Sequence, residues 1–262
     1  MVKSKSKIWS NFYLVLVFIF LYAPIFALAL FSFNDSKSMA RWNGFTLMWY
    51  KELFHNERII TALITTVVVA ILAASIATII GTVSAIGIDR MRGKKKTLLL
   101  NLNYLPVLNP DIVTAVGLML LFIFFNIKLG FVTMLLAHIT FNIPYVVLSV
   151  LPKLKQMPAN IEDAAMDLGA KPMYTLKKVI LPQIKPGIVS GFLIAFTMSI
   201  DDFIISFFNT GNGVTNLSIE VYSMAKRGIK PEINALSTLM FITVLILLFL
   251  ANKKQTVVKE EN

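Results

Sequence analysis

Three carboxylates, Asp111, Asp201 and Asp202, stand inside stretches that are otherwise free of charge. Asp111 alone interrupts residues 97–127, and the Asp201–Asp202 pair alone interrupts residues 186–219. In hydrocarbon a charged carboxylate costs about 2.5–3.5 kcal/mol, so a group placed there either serves a pathway or is bonded to a neighbouring helix. Carboxylates of this kind bind cations, and two that share a proton form an acid–base dyad. Nucleophilic or metal chemistry has little to work with. Cysteine is absent, and His55 and His138 lie far apart with no paired-histidine zinc motif. No G-x-S-x-G elbow is present. The nearest approach to a phosphate loop, Gly87 to Lys95, has five residues between its glycines and a lysine where Ser or Thr would hold magnesium. The chain therefore lacks the means to hydrolyse ATP itself.

The elements that position these carboxylates follow from composition. Of 262 residues 56% are hydrophobic and only 15% charged, yet the net charge is +11. That is too little polar surface for a soluble domain of this size. A spanning helix needs about 20 apolar residues. The uncharged runs predict six, at residues 12–33, 61–88, 104–127, 129–151, 186–208 and 233–251, in one membrane domain covering residues 1–262. The expected fold is all-α and polytopic. The first run exceeds the roughly 7–15 residues of a signal-peptide core and is expected to be retained. Six spans put both termini on one side. Seventeen of the 25 basic residues fall on that side, in the tails and in the loops after the second and fourth spans. By the positive-inside rule that side is cytoplasmic. The charge is thus topological, and no nucleic-acid partner is implied. Between the first two spans Trp42, Phe45, Trp49, Tyr50 and Phe54 suggest a short amphipathic helix at the outer interface.

Asp111 lies 15 residues beyond Lys96, and Asp201 lies 16 beyond Lys185. Both helices run outward from basic loops, so both carboxylates are expected roughly 22–24 Å along them, at about 1.5 Å per residue. Neighbours on a helix point about 100° apart, so Asp201 and Asp202 cannot both face one path. One of them can instead be bonded to a neighbouring helix. Tyr222 and Phe203 are candidate aromatic partners for a bound cation. The structural alternative has Asp111 capping a helix that begins at Pro110. His138, alone in the fourth span, is expected to bond between helices.

The loop of residues 153–185 carries a sharper pattern. Asn160 suits an N-cap, and Glu162 and Asp163 suit the first turn of a helix. Ala164, Ala165 and Leu168 make an apolar stripe, Gly169 stops the helix, and Pro172 opens a second one. Leu176, Val179 and Ile180 would share its face, and Pro182 would end it. A helix–turn–helix this small cannot bury its own apolar faces.

The spacing Asp163-Ala164-Ala165, Gly169, Val179-Ile180-Leu181-Pro182 resembles the signature of the permease subunits of binding-protein-dependent ABC importers. Asp163 stands where that family usually has Glu, and Val179 where it has Ile. The resemblance implies a type I importer fold in a bacterial inner membrane. It also implies that Asp163, Ala164, Ala165, Leu168, Gly169, Val179, Leu181 and Pro182 couple the chain to an ATPase. The implied partners are a second permease subunit, two ATPase subunits carrying ATP and magnesium, and an external substrate-binding protein. This chain itself would hold no cofactor. Asn109-Pro110-Asp111, Ser199-Ile200-Asp201-Asp202-Phe203 and residues 219–236 are similar to the second permease subunits of spermidine/putrescine importers. That likeness implies a polyamine path lined by Asp111, Asp201, Asp202 and Tyr222. The alternatives are a permease for another small solute, a cation-coupled secondary transporter or channel, and an intramembrane aspartyl enzyme. A secondary transporter would be expected to show paired Gly/Pro-broken helices, and none is evident in the sequence.

Overall fold

The computed structural model describes residues 2–36, 41–158, 160–227, 231–243 and 245. The expected sixth span is helical over residues 231–243, and most of its remainder lies outside the described residues. Lys37, Lys230, Lys253, Lys254 and Lys259 lie outside them as well. The single expected domain separates into two compact units, Met1–Ile60 with Val221–Asn262, and Thr61–Glu220.

In the first unit, α1 (Val2–Phe31) contains the apolar stretch Asn11–Phe31, none of which is buried by protein. A helix that is apolar all round and uncovered suits lipid on every side. The chain then turns back. Asp35 N–H donates to Gly44 O (3.0 Å) and Thr46 N–H to Phe33 O (2.8 Å), with Gly44 at φ +127° supplying the turn. The short helix expected there is α2 (Met48–His55). Trp49 is buried and its indole N–H donates to Asn34 O at 2.8 Å, while Phe45 and Phe54 stay exposed.

The second unit is organised around α6 (Phe131–Gln156), which buries thirteen residues. It packs against α3 (Glu57–Arg90) and α9 (Leu181–Asp201) in one cluster that includes Ala74, Ala77, Ala85, Val146, Val150 and Ile184. Lipid-buried helices gain little hydrophobic energy from each other, so close contact through small residues holds them together. Gly187 and Gly191, one turn apart, provide it on α9. A Cβ on Gly187 would meet Ser149 O at 2.9 Å, and one on Gly191 would meet Val146 Cα at 3.2 Å. Gly81 of α3 has the same role, since a Cβ there would lie 2.7 Å from the Val146 side chain. A second cluster joins α5 (Asp111–Phe124) to α6 and to α10 (Ile204–Asn209) through Ala115, Phe122, Phe141 and Ile205. The last element of the unit is the start of α11 (Leu217–Arg227).

Four described helices are long and apolar enough to cross a membrane: Asn11–Phe31, Glu57–Arg90, Phe131–Gln156 and Pro172–Asp201. They correspond to the expected spans one, two, four and five. Two of the expected spans are corrected in form. The third, residues 104–127, is a pair of helices, α4 (Gly93–Leu108) and α5, bent by 107° at Asn109-Pro110. Both residues of the bend are extended (ψ 147° and 137°), and for Asn109 the cause is the following proline ring, which drives it out of the helical region. The fifth, residues 186–208, instead starts at Pro172 and ends at Asp201, where Asp202 becomes extended (ψ 123°) and a new helix, α10, begins at Ile204. Two of the expected spans are therefore broken, at Asn109-Pro110, where a helix start was one reading of the sequence, and at Asp202, which the sequence does not reveal.

Candidate functional site

The loop that follows α6 contains α7 (Ile161–Asp167) and α8 (Pro172–Thr175). Asn160 occupies the N-cap position, and Glu162 and Asp163 lie in the first turn. The helix ends in a Schellman arrangement. Gly169, at φ +86°, donates its N–H to Met166 O (2.8 Å), and Ala170 donates to Ala165 O (3.1 Å). Nothing lies within 4 Å of where a Gly169 Cβ would stand, so its backbone conformation alone requires glycine.

Pro182 does not end the second helix, contrary to expectation. The chain makes a π turn at Leu176–Ile180, with Leu181 N–H bonded to Leu176 O, and continues as α9 with Pro182 in its first turn. A proline has no N–H to give and its ring crowds the preceding turn. The widened turn accommodates both, as π turns commonly do at functional positions. The turn also re-aims the apolar residues. Leu176 and Ile180 pack on the α3–α6–α9 cluster, whereas Val179 joins Ala165, Leu168, Gly169, Ala170 and Tyr174 around an open groove. The three residues expected on one uncovered face are thus split. Leu168 is 91% exposed at the groove's edge, Asp163 and Ala164 are exposed, and Leu181 is half-buried ahead of an exposed Pro182. Leu168 thus stands bare beside a largely apolar groove.

Each of the three candidate pathway carboxylates stands at a helix break. Asp111 is the first residue of α5, exposed, and within Coulombic range of Tyr145 on α6. Pro110 is the N-cap of α5, so Asp111 is not the expected cap; it stands at the first helical position, where the positive pole of the helix favours its charge. Asp201 is the last residue of α9 and exposed. There the carboxylate adds to the negative pole of a helix, giving a locally electronegative spot. Asp202 is engaged inside the protein. Its carboxylate accepts from Ile205 N (3.1 Å), Ser206 N (2.8 Å) and Ser206 Oγ (3.0 Å), capping α10. Tyr222 on α11 is half-exposed.

Asp202 belongs to a buried polar cluster. His138 Nε2 lies 2.9 Å from Ser206 Oγ and 3.5 Å from Asp202 Oδ2, the interhelical role expected of that histidine. Asn216 donates to Ser206 Oγ at 2.7 Å, and its own Oδ1 accepts from Ile219 N–H at the start of α11. One turn along α6, Asn142 donates to Ser199 Oγ at 2.7 Å. His138, Asn142 and Tyr145 recur at i, i+4 and i+7, a polar stripe on one face of α6. Ser206, Asn216 and the buried Glu220 were not singled out by sequence reasoning. The signal available for Asn216 was its N-cap type before a helical run.

Comparison with known proteins fits this geometry. A family model described as "Binding-protein-dependent transport system inner membrane component" matches residues 77–257. The spermidine/putrescine transport system permease protein PotC of Haemophilus influenzae is 39% identical over 241 residues, covering 92% of this chain and 94% of that protein. PotC of Escherichia coli is 36% identical over 235 residues, covering 90% and 89%. The putrescine transport system permease protein PotI of Escherichia coli is 38% identical over 252 residues, covering 93% and 89%. Among solved structures, a bacterial ABC transporter involved in the import of the acidic polysaccharide alginate matches with TM-score 0.74 at 14% identity, covering 97% of this chain and 96% of that one. The MetNI methionine ABC transporter matches with TM-score 0.57 at 16% identity, covering 76% and 96%. At those identities the structures establish the fold, an all-α, multi-pass membrane fold of the type I importer kind. With the matched region spanning more than half its length, this chain belongs to the family of binding-protein-dependent transport system inner membrane components.

Proposed function

We propose that this chain is a membrane-spanning subunit of an ATP-driven importer of polyamines, with both termini in the cytoplasm. The observation that carries the coupling half of this reading is the α7–α8 loop, whose bare Leu168 and open groove offer a docking surface for an ATPase subunit. A second permease subunit would complete the path, two ATPase subunits would bind ATP and magnesium, and an external binding protein would deliver the substrate. ATP would close the ATPase pair and displace the docked loop, rocking the spans between inward- and outward-facing states. The nucleotide shifts that equilibrium because it binds one state better than the other.

The polyamine half rests on the relatives' names and on the chemistry at the helix breaks. A polyamine is a flexible chain of ammonium groups. Asp201 at the negative end of α9, with Asp111 as a second carboxylate, suits ion pairing with such a chain. Asp202 contributes by shaping the break beside Asp201. The test is ATP-dependent uptake of labelled putrescine and spermidine into vesicles holding the full assembly, with an amino acid and an acidic sugar as controls. Uptake of the controls but not of the polyamines would refute the substrate assignment and leave the ABC reading standing.

A further inference from the structure

The helix α7 is loosely seated. None of its residues is buried. A hollow of about 100 Å³ separates it from the ends of α3 and α6, lined by Ile86, Arg90, Leu154, Met157, Ile161 and Glu162. Across this hollow the Arg90 guanidinium forms an ion pair with the Glu162 carboxylate. Arg90 is the last residue of the 34-residue helix α3, and Glu162 is in the first turn of α7. Each charge suits the pole of its own helix, so both are in place before they meet. The adjoining residue Asp89 is itself fixed, since its carbonyl oxygen accepts from Lys96 Nζ at 2.9 Å and its carboxylate lies 3.4 Å from the same group. The α3 end that carries Arg90 is therefore anchored.

We propose that the Arg90–Glu162 pair is the tie through which displacement of α7 reaches α3, with Arg90 acting as a positioning residue for coupling. This rests on α7 being the ATPase-docking helix. Along the chain, a push on α7 enters the membrane through residues 157–160 into α6, and through Gly169–Lys171 and α8 into α9. The ion pair adds a route that the chain does not provide, across 72 positions of sequence, into α3. The spans α3, α6 and α9, which share one packed cluster, then receive the same input. Both side chains are partly exposed, at 50% and 31%, so the pair adds little to static stability. Its loss should therefore leave folding intact and appear in coupling.

The experiment uses the complete assembly in liposomes and measures putrescine uptake and ATP hydrolysis on the same vesicles. Arg90→Ala and Glu162→Ala are each expected to lower uptake per ATP about two- to fivefold, the range an exposed ion pair can supply. ATPase co-purification should be unchanged, and the exchange Arg90→Glu with Glu162→Arg should restore the ratio. Single variants with the parental ratio would overturn the tie. So would an exchange that folds but does not restore coupling, or single variants that lose the ATPase, since either result makes these residues part of the docking surface. If the ATPase fails to co-purify even with the unsubstituted chain, the docking reading fails first, and the tie falls with it.

Discussion

Asp201 and Asp202 are neighbours in the chain, and the structure gives them opposite sensitivities to substitution. Asp202→Ala removes the acceptor for two helical N–H groups, those of Ile205 and Ser206, and for the Ser206 hydroxyl. Losing a helix cap costs about 0.5–2 kcal/mol. Ser206 and His138 are buried and would lose a partner, and each unsatisfied buried group costs about 1–3 kcal/mol. Asn216 offsets part of this through its bond to Ser206, which leaves a net loss of roughly 2–4 kcal/mol. Asp201→Asn removes a charge from an exposed position at a helix end and leaves that cluster intact. In detergent, Asp202→Ala should melt several degrees lower than the parent protein, as followed by loss of the monodisperse peak on heating. Asp201→Asn should keep the parental midpoint while vesicle uptake of putrescine falls. A stable Asp202→Ala, or an Asp201→Asn that melts early, would refute this division of roles.

Other outcomes follow from the same geometry. Gly169→Leu forces a side chain into the left-handed region at about 1–2 kcal/mol, so polyamine uptake should fall relative to ATP hydrolysis; unchanged uptake would refute a docking role for the turn. Leu168→Asp should cut ATPase co-purification about tenfold or more without altering the chain's own elution, because a buried leucine contributes roughly 1.5–3 kcal/mol to an interface. Gly187→Ala should destabilise by about 1–3 kcal/mol because its Cβ meets a backbone oxygen that cannot move aside. Gly117→Ala, in open space on α5, should be neutral or stabilising by up to about 1 kcal/mol; equal melting of the two variants would show that close packing at Gly187 is unimportant.

Much of this molecule is legible in its sequence, for identifiable reasons. Uncharged runs report helices because hydrocarbon admits few other structures. Gly169 announces its turn, since few residues besides glycine adopt that backbone readily, and His138 announces an interhelical bond because nothing in lipid would otherwise satisfy it. The breaks are less legible. Asn109-Pro110 was visible as a possible helix start, but the 107° bend depends on what α5 packs against, namely Phe141 and Ile205 from far along the chain. Asp202 reads as one more intramembrane acid until Ser206 and Asn216 are brought beside it. Pro182 reads as a terminator because local rules cannot anticipate one extra residue in the turn before it.

The chain passes through the π turn without a break, so the helix from Pro172 to Asp201 is one continuous rod. Its 30 residues give a length of about 45 Å at 1.5 Å per residue. One end borders the groove beside Leu168, and the other carries an acid. A rod of that length that tilts as one body behaves as a lever. A tilt of about 10° carries its tips roughly 8 Å relative to one another, more than one helical turn of travel. On the proposed docking, force applied to the loop would arrive at the carboxylate as displacement, without any relay of side-chain rearrangements between them.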